Sequence, residues 1–416
     1  MSRVELMVPA KNWKSLKAML GSADSVYFGI EILNMRMMAD NFRLEELPKV
    51  VKFCHENNIQ TYLTTNIIIY ENEIETLAQV LDKAAAAEID AVIVHDVGAI
   101  ELAKERNLDF HISTQASISN SISAKYYESL GANRLILARE LSLKQIKEIK
   151  QKLKKVEIET FVHGAQCTSI SGRCYFSADV LESSEFSANR GKCIQPCRRS
   201  WIVTDDTGKS FIYDGVYFLN TKDLCMIEYI PQLIKANVDA FKIEGRMRDA
   251  LYVEITSKCY REAIDSYYNG TYTKEKVKNW LKELNKVYNR GFSTGFYFGR
   301  PQVTEIEQET SGNVSEYRKR EVGRVLSYYR NKKAAKILLT WGNLKIGDEI
   351  IIMGINTDTY LRQKISSLQI KKKIVTETPK ASKGNHITVG ILVDSPIKEN
   401  DRIYVLDRYS PNNYQN

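Results

Sequence analysis

Four of the seven cysteines fall within one short stretch, spaced Cys167-x6-Cys174-x18-Cys193-x3-Cys197. Thiolates are soft ligands, and four of them suit either zinc or an iron–sulfur cluster. Structural zinc favours tight Cys-x2-Cys knuckles. This set contains none, so the looser spacing points to an iron–sulfur cluster, most naturally of the 4Fe–4S type, bound by Cys167, Cys174, Cys193 and Cys197. Gly164, Gly172 and Gly191 let the backbone wrap closely around an inorganic core. Arg173, Arg190, Lys192, Arg198 and Arg199 supply charge to balance it. Cys54 and Cys259 sit in helical patterns and read as small buried hydrophobes. Cys225 follows Asn220-Thr221-Lys222-Asp223 and is the alternative to Cys197 as fourth ligand.

A second set of reactive types recurs at the ends of β-type runs. Asn66, His95 with Asp96, Gln115, Arg139 with Glu140, His163, and Glu244 with Arg246 each follow or close such a run, and Arg36 follows another. His111 and Ser113 lie within a run, where they can point inward. Arg36, Arg139 and Arg246, with Gln115, can grip a carboxylate-bearing small molecule, since a guanidinium pairs carboxylate oxygens two at a time. His163, Glu244 and His95 are the candidates for moving protons. Because His163 precedes Cys167 by four residues, one strand would deliver the cluster to the mouth where these groups gather.

The elements that must position them alternate for about 260 residues. Strand-like runs at Val4–Val8, Ser25–Ile30, Thr61–Thr65, Ala91–Val94, Asp109–Thr114, Arg134–Ala138, Ile158–Val162 and Ala240–Ile243 are separated by helical patterns such as Leu44–Asn57, Glu73–Ala87 and Ser142–Leu153. Strands alternating with helices predict a parallel sheet, and eight of them a closed (β/α)8 barrel, TIM-like, in residues 1–300. A glycine-rich dinucleotide fingerprint is missing after the first run, where Pro9-Ala10-Lys11 stands. Residues 164–235 form an insert too long for one crossover helix, and it carries the four cysteines.

Helices at Ala250–Tyr268 and Lys274–Tyr288 and a polar linker at Thr304–Ser315 lead to a second domain, 316–416. It reads as short strands, Glu321–Ser327, Ala334–Leu339, Asp348–Met353, His386–Val393 and Arg402–Val405, of a small antiparallel β-barrel. The formal charge is +8, and basic residues exceed acidic ones by six from residue 301 onward, so this tail holds most of it. A basic tail suggests a polyanionic partner, nucleic acid first. Tyr317-Arg318-Lys319-Arg320, Tyr328-Tyr329-Arg330-Asn331-Lys332-Lys333 and Lys371-Lys372-Lys373 offer phosphate contacts and stacking faces. The chain starts without a signal-like apolar run and has no twenty-residue apolar stretch, so a cytoplasmic protein without a membrane span is expected.

These residues resemble the collagenase-like peptidase family, U32. The resemblance rests on Glu159-Thr-Phe161-Val-His163-Gly164-Ala-Gln-Cys167, Ser171-Gly172-Arg173-Cys174 and Gly191-Lys192-Cys193-Ile-Gln-Pro196-Cys197-Arg198. It rests too on Asp24-Ser-Val-Tyr27-Phe-Gly29, Ser113-Thr-Gln115-Ala-Ser117, Asn220-Thr-Lys222-Asp223-Leu224 and Lys242-Ile-Glu244-Gly245-Arg246. It spans residues 1–300, and the tail is similar to the small barrel that longer members append. The resemblance implies an iron–sulfur-dependent hydroxylase of RNA, with the wobble uridine of tRNA converted to 5-hydroxyuridine, prephenate as hydroxyl donor, and a protein partner from the same family. The alternative it carries is a peptidase or a protein-maturation factor. No Ser–His–Asp, Cys–His–Asn or His-Glu-x-x-His arrangement supports proteolysis.

Overall fold

The computed structural model describes residues 3–170, 173–199, 201–212, 219–307 and 312–408. Ser171 and Gly172, part of the cysteine motif, lie outside the described residues, as do 308–311 of the expected linker. The chain divides into two compact units, Met1–Ser315 and Glu316–Asn416.

In the first unit, β1 (Glu5–Pro9), β2 (Ser25–Phe28), β3 (Gln60–Thr64), β4 (Ala91–Val94), β5 (Phe110–Ile112), β6 (Arg134–Ile136) and β7 (Glu157–Gly164) follow one another in parallel. They alternate with α1 (Trp13–Ala18), α2 (Leu47–Glu56), α3 (Ile74–Ala86), α4 (Val97–Glu105), α5 (Ser121–Ser129) and α6 (Leu143–Lys150). The insert after β7 holds α7 (Phe176–Val180), a hairpin of β8 (Ile202–Thr204) and β9 (Ser210–Ile212), and β10 (Asp223–Cys225). β10 runs antiparallel to the end of β7, with Cys225 opposite His163. Then α8 (Ile230–Lys235) makes the crossover to β11 (Ala240–Ile243), which pairs in parallel with both β7 and β1 and so closes the eight-stranded barrel. α9 (Ala250–Tyr268), α10 (Lys274–Leu284) and the short β12 (Phe292–Ser293), which pairs in parallel with β10, follow.

Strands covered by helices outside and side chains inside are largely apolar. Val92, Val94, Leu135, Ile158 and Ile243 are fully buried, each worth roughly 1.5–3 kcal/mol of hydrophobic stabilisation. The helices start where the sequence caps them: Asn12, Asp96, Asn120, Ser142, Asp249 and Thr273 all accept a backbone N–H of the first turn. Asp96 is spent in that way, on Gly98 N at 2.9 Å. The barrel interior is ionic rather than apolar at one level. Lys242 Nζ reaches Glu159 Oε1 at 2.9 Å, and Arg134 Nη1 lies 2.8 Å from Glu5 Oε1 and 3.4 Å from Glu159. His111 does face inward, against the Tyr62 ring at 4.6 Å. Among the described residues no helix is long and apolar enough to cross a membrane.

The second unit is an antiparallel sheet of eight strands rather than the five read from the sequence. They are β13 (Tyr317–Tyr329), β14 (Ala334–Leu339), β15 (Glu349–Met353), β16 (Tyr360–Lys364), β17 (Leu368–Ile370), β18 (Lys373–Val375), β19 (Ile387–Leu392) and β20 (Arg402–Arg408). Ile337, Leu339, Ile350, Ile352, Val389, Ile391 and Ile403 alternate inward to one core. β13 pairs with β20 on one side and β14 on the other, and its register shifts at Gly323. A Cβ there would stand 2.2 Å from the Leu338 carbonyl oxygen, so the close approach demands glycine.

Candidate functional site

At the C-terminal mouth of the barrel, all four cysteines of the central set line one cavity of about 160 Å³, several times the ~30 Å³ share of a water molecule. Cys167 and Cys193 are exposed there, and Cys174 and Cys197 are half-buried. The fold holds each by a local device. Asn189 accepts from Cys174 N at 2.9 Å. The Gln195 N–H at 3.3 Å and the Ser177 hydroxyl at 3.5 Å point at the Cys193 sulfur and fix its place. Pro196 starts the turn Pro196–Arg198 that presents Cys197. Burial pushes the Cys197 thiol upward, and Cys167 and Cys193 add to this against the opposing Arg198.

Among the described residues no three Cys, His, Asp or Glu side chains are grouped tightly enough to hold one metal ion. The donors around this cavity are nevertheless four thiols and no carboxylate except Glu244. A single zinc ion needs its ligands converging at about 2.3 Å from one point. Thiols are the donor type that an iron–sulfur core takes, each meeting a different iron atom. Arg36, Arg139, Arg173, Arg198, Arg248 and Arg290 share the lining, which suits an anionic core or ligand.

Cys225 is not part of this cavity. Its thiol is buried, 3.8 Å from the Tyr260 hydroxyl, and burial pushes it up to about 11. Of the two candidates for fourth ligand, Cys197 lines the cavity with the other three cysteines and Cys225 does not. Cys54 is likewise buried and pushed up to about 12 by burial. The glycines also differ from expectation. Gly164 and Gly191 have positive φ, but a Cβ on them would strike the Glu244 and Asn34 carbonyl oxygens at 2.2 Å. Their lack of a side chain lets the insert dock on barrel backbone, and Gly191 also lines the cysteine cavity. Arg190 and Lys192 are committed elsewhere, Arg190 to Glu73 and the Ile68 carbonyl and Lys192 to Glu185 at 3.1 Å.

Beneath the cysteine cavity lies a smaller one of about 40 Å³ that shares Met35, Arg36, Gln115, Arg139 and Glu244 with it. Tyr27, Thr64, Asn66, Ser113, Lys242 and Arg246 complete its floor. Here the expected substrate-binding residues Arg36, Gln115, Arg139 and Arg246 do come together. Arg36 donates from Nε (3.2 Å) and Nη2 (3.1 Å) to Glu244 Oε1. Arg246 is 2% exposed and gives Nη2 to Asn34 and Asn41 and Nη1 to Thr64. Gly29 makes this possible, because a Cβ there would lie 2.2 Å from Arg246 Nη2. Arg139 stacks over Phe161 at 4.0 Å and spends Nη1 on the Ala165 carbonyl. What remains unspent is specific: Arg139 Nε, Arg246 Nε and Gln115 Oε1 are buried without a hydrogen-bond partner. Such groups are costly unless something supplies the missing bond.

The three expected proton carriers fare differently. Burial would raise the Glu244 carboxyl, but Arg36, Arg139 and Arg246 outweigh it and hold it at about 2. It is a permanent anion that fixes Arg36, and a weak base. His163 lies outside both cavities, ringed by Tyr252, Tyr260 and Phe292. Burial pushes it down to about 3, so its imidazole is neutral and braces β7. His95 also lies outside both cavities. Burial lowers it against the opposing Asp96, and its Nδ1 has no partner. Sequence reasoning missed Arg248 and Arg290, which line the cysteine cavity and both stack on Tyr288, Arg248 at 3.5 Å. Tyr27 was also missed as a site residue. Its hydroxyl donates to the Ile243 carbonyl at 2.9 Å and sits 3.3 Å from Glu244.

The model of peptidase family U32 matches residues 11–307. An uncharacterized protease of Methanocaldococcus jannaschii is 45% identical over 98% of this chain and 99% of its own length. A collagenase of Porphyromonas gingivalis is 37% identical over 97% of this chain and 98% of its own. A tRNA hydroxylation protein of Bacillus subtilis is 35% identical over 84% of this chain and 83% of its own.

Proposed function

The chain belongs to peptidase family U32, and on that footing we propose that it is an iron–sulfur-dependent RNA hydroxylase, forming 5-hydroxyuridine at the wobble position of tRNA with prephenate as hydroxyl donor. The observation that carries this reading is the pairing of a four-thiol cavity with a polar floor whose Arg139 Nε, Arg246 Nε and Gln115 Oε1 are unspent. The name of the Bacillus subtilis relative supports RNA as substrate. The work would be done in the cytoplasm, where tRNA is found, and a second family member is the expected protein partner.

Cys167, Cys174, Cys193 and Cys197 would hold the 4Fe–4S cluster. When bound, such a cluster supplies one-electron chemistry tuned by its charge and hydrogen bonds. The residues of the chain do the rest. The two guanidinium Nε–H groups of Arg139 and Arg246 bind donor carboxylate oxygen, and the Gln115 carbonyl accepts from the donor hydroxyl. Glu244, held as an anion, keeps Arg36 turned to the cavity wall. Met35, Met38, Ile170 and Met247 give the upper cavity an apolar side against which a pyrimidine can lie. In balance, the donor's C–O bond and the uracil C5–H bond break, the oxygen joins C5 and the hydrogen ends on the donor, so the base loses two electrons and the donor gains two.

The name of the Porphyromonas gingivalis relative favours a second reading, peptide-bond cleavage. No cysteine among the described residues is hydrogen-bonded to a histidine, which a thiol peptidase requires. Nucleoside analysis of tRNA treated with the full chain, loaded with iron and sulfide and given prephenate, separates the two. Hydroxylated uridine without cleavage of gelatin is expected. Gelatin cleavage without the nucleoside would overturn the reading.

A further inference from the structure

We propose that Trp341, in the second unit, is a stacking platform for an unpaired RNA base. Its ring is 50% exposed, and it stands in an open groove of about 550 Å³ walled by Arg320, Glu321, Thr340, Lys383 and His386. A half-exposed indole forfeits hydrophobic stabilisation unless a partner covers it.

The platform is rigid. Thr340 N and Trp341 N both donate to the Val322 carbonyl, at 2.8 and 3.2 Å, and Gly342 exchanges backbone bonds with Ala381 at 3.0 and 2.7 Å. Gly342 has φ +70°, and a Cβ there would approach Arg320 Nη1 to 3.1 Å, so glycine seats the guanidinium beside the ring. Asp407 holds Arg320 Nε, which leaves its outer N–H groups toward the groove. The single acid of the groove, Glu321, is paired with Arg402 at 2.8 Å. The groove therefore presents an aromatic face flanked by cations. A base stacked on Trp341 with its neighbouring phosphates on Arg320 and Lys383 complements it in both respects.

This inference rests on the RNA reading of the preceding section, but its test separates the two. Full-length protein is titrated into a short fluorescent single-stranded oligouridylate, and anisotropy is read at low and high salt. Trp341→Ala is expected to weaken binding by about tenfold, the loss of one stacked base, while Trp341→Phe keeps most of the affinity. Lys383→Ala is expected to flatten the salt dependence. The same preparations are assayed for hydroxylated nucleoside. Unchanged oligonucleotide binding by Trp341→Ala overturns this inference and leaves the activity standing. Trp341-dependent binding without product supports this inference and removes the activity. Polyglutamate that binds as tightly as the oligonucleotide, with the same dependence on Trp341, would mark the groove as an acidic-peptide site and overturn it.

Discussion

Arg36 and Glu244 form an ion pair, 3.1 Å from Nη2 to Oε1, on the wall shared by the cysteine cavity and the polar floor beneath it. Arg36 comes from the loop after β2 and Glu244 from the residue that follows β11. The pair therefore joins the two loops at the mouth of the barrel, and it explains why a carboxylate in a buried site stays charged.

Glu244→Gln keeps the shape and removes the charge. The folded carboxyl is held at about 2 against an ordinary 4.5. A depressed carboxyl stabilises above its unfolded value, and that stabilisation is lost as pH falls from about 4.5 toward 2. At pH 7 the variant should lose on the order of 3 kcal/mol in urea unfolding. The gap to wild type should shrink to roughly half by pH 3 and close only near pH 2. An equal gap at both pH values would contradict the pairing.

His163 gives the opposite kind of group, a base buried neutral. Its folded value is about 3 against 6.5. Stability should be complete above pH 6.5 and decline below it, by up to about 1.4 kcal/mol per pH unit. His163→Gln should flatten that decline and leave the shape of the pH–activity curve unchanged between pH 6 and 8. A lost ionisation in that curve would return His163 to the reacting groups.

The cysteines divide by location. Cys197→Ser should cost the loaded protein most of its iron and its visible absorbance, while Cys225→Ser, at a buried site against Tyr260, should retain both. Equal iron in the two variants would contradict the assignment of the fourth ligand.

Gly191 seats the insert on the loop after β2. Gly191→Ala places a Cβ 2.2 Å from the Asn34 carbonyl oxygen at a φ of +78°. It should lower iron retention several-fold and cost roughly 1–3 kcal/mol, with the far-UV spectrum of the barrel retained. Full iron loading would show that the docking of the insert is not required.

The barrel was legible because its strands are short apolar runs with helices between them, and period and spacing survive without contacts. That Cys167, Cys174, Cys193 and Cys197 share one cavity was legible in their crowding into a single insert. What sequence left out depends on direction. Nothing local tells that His163 turns into a cage of Tyr252, Tyr260 and Phe292, or that Arg246 gives both terminal nitrogens to Asn34, Asn41 and Thr64 and keeps only its Nε. Arg248 was hidden because its stacking on Tyr288 pairs residues forty apart in the chain, and Arg290 because nothing local to it shows which way a loop side chain turns. In the second unit, β16 escaped because polar Gln363 takes one of its inward positions, and β17 and β18 because they are only three residues each.

The most direct test of the account is transfer of labelled oxygen. The full chain, loaded anaerobically with iron and sulfide, is incubated with tRNA and with prephenate carrying oxygen-18 in its hydroxyl group, and the digested nucleosides are weighed by mass spectrometry. The account predicts 5-hydroxyuridine bearing the heavy oxygen, absent when Cys197 is replaced by serine. Uridine left unmodified by the iron-loaded wild-type chain would contradict it.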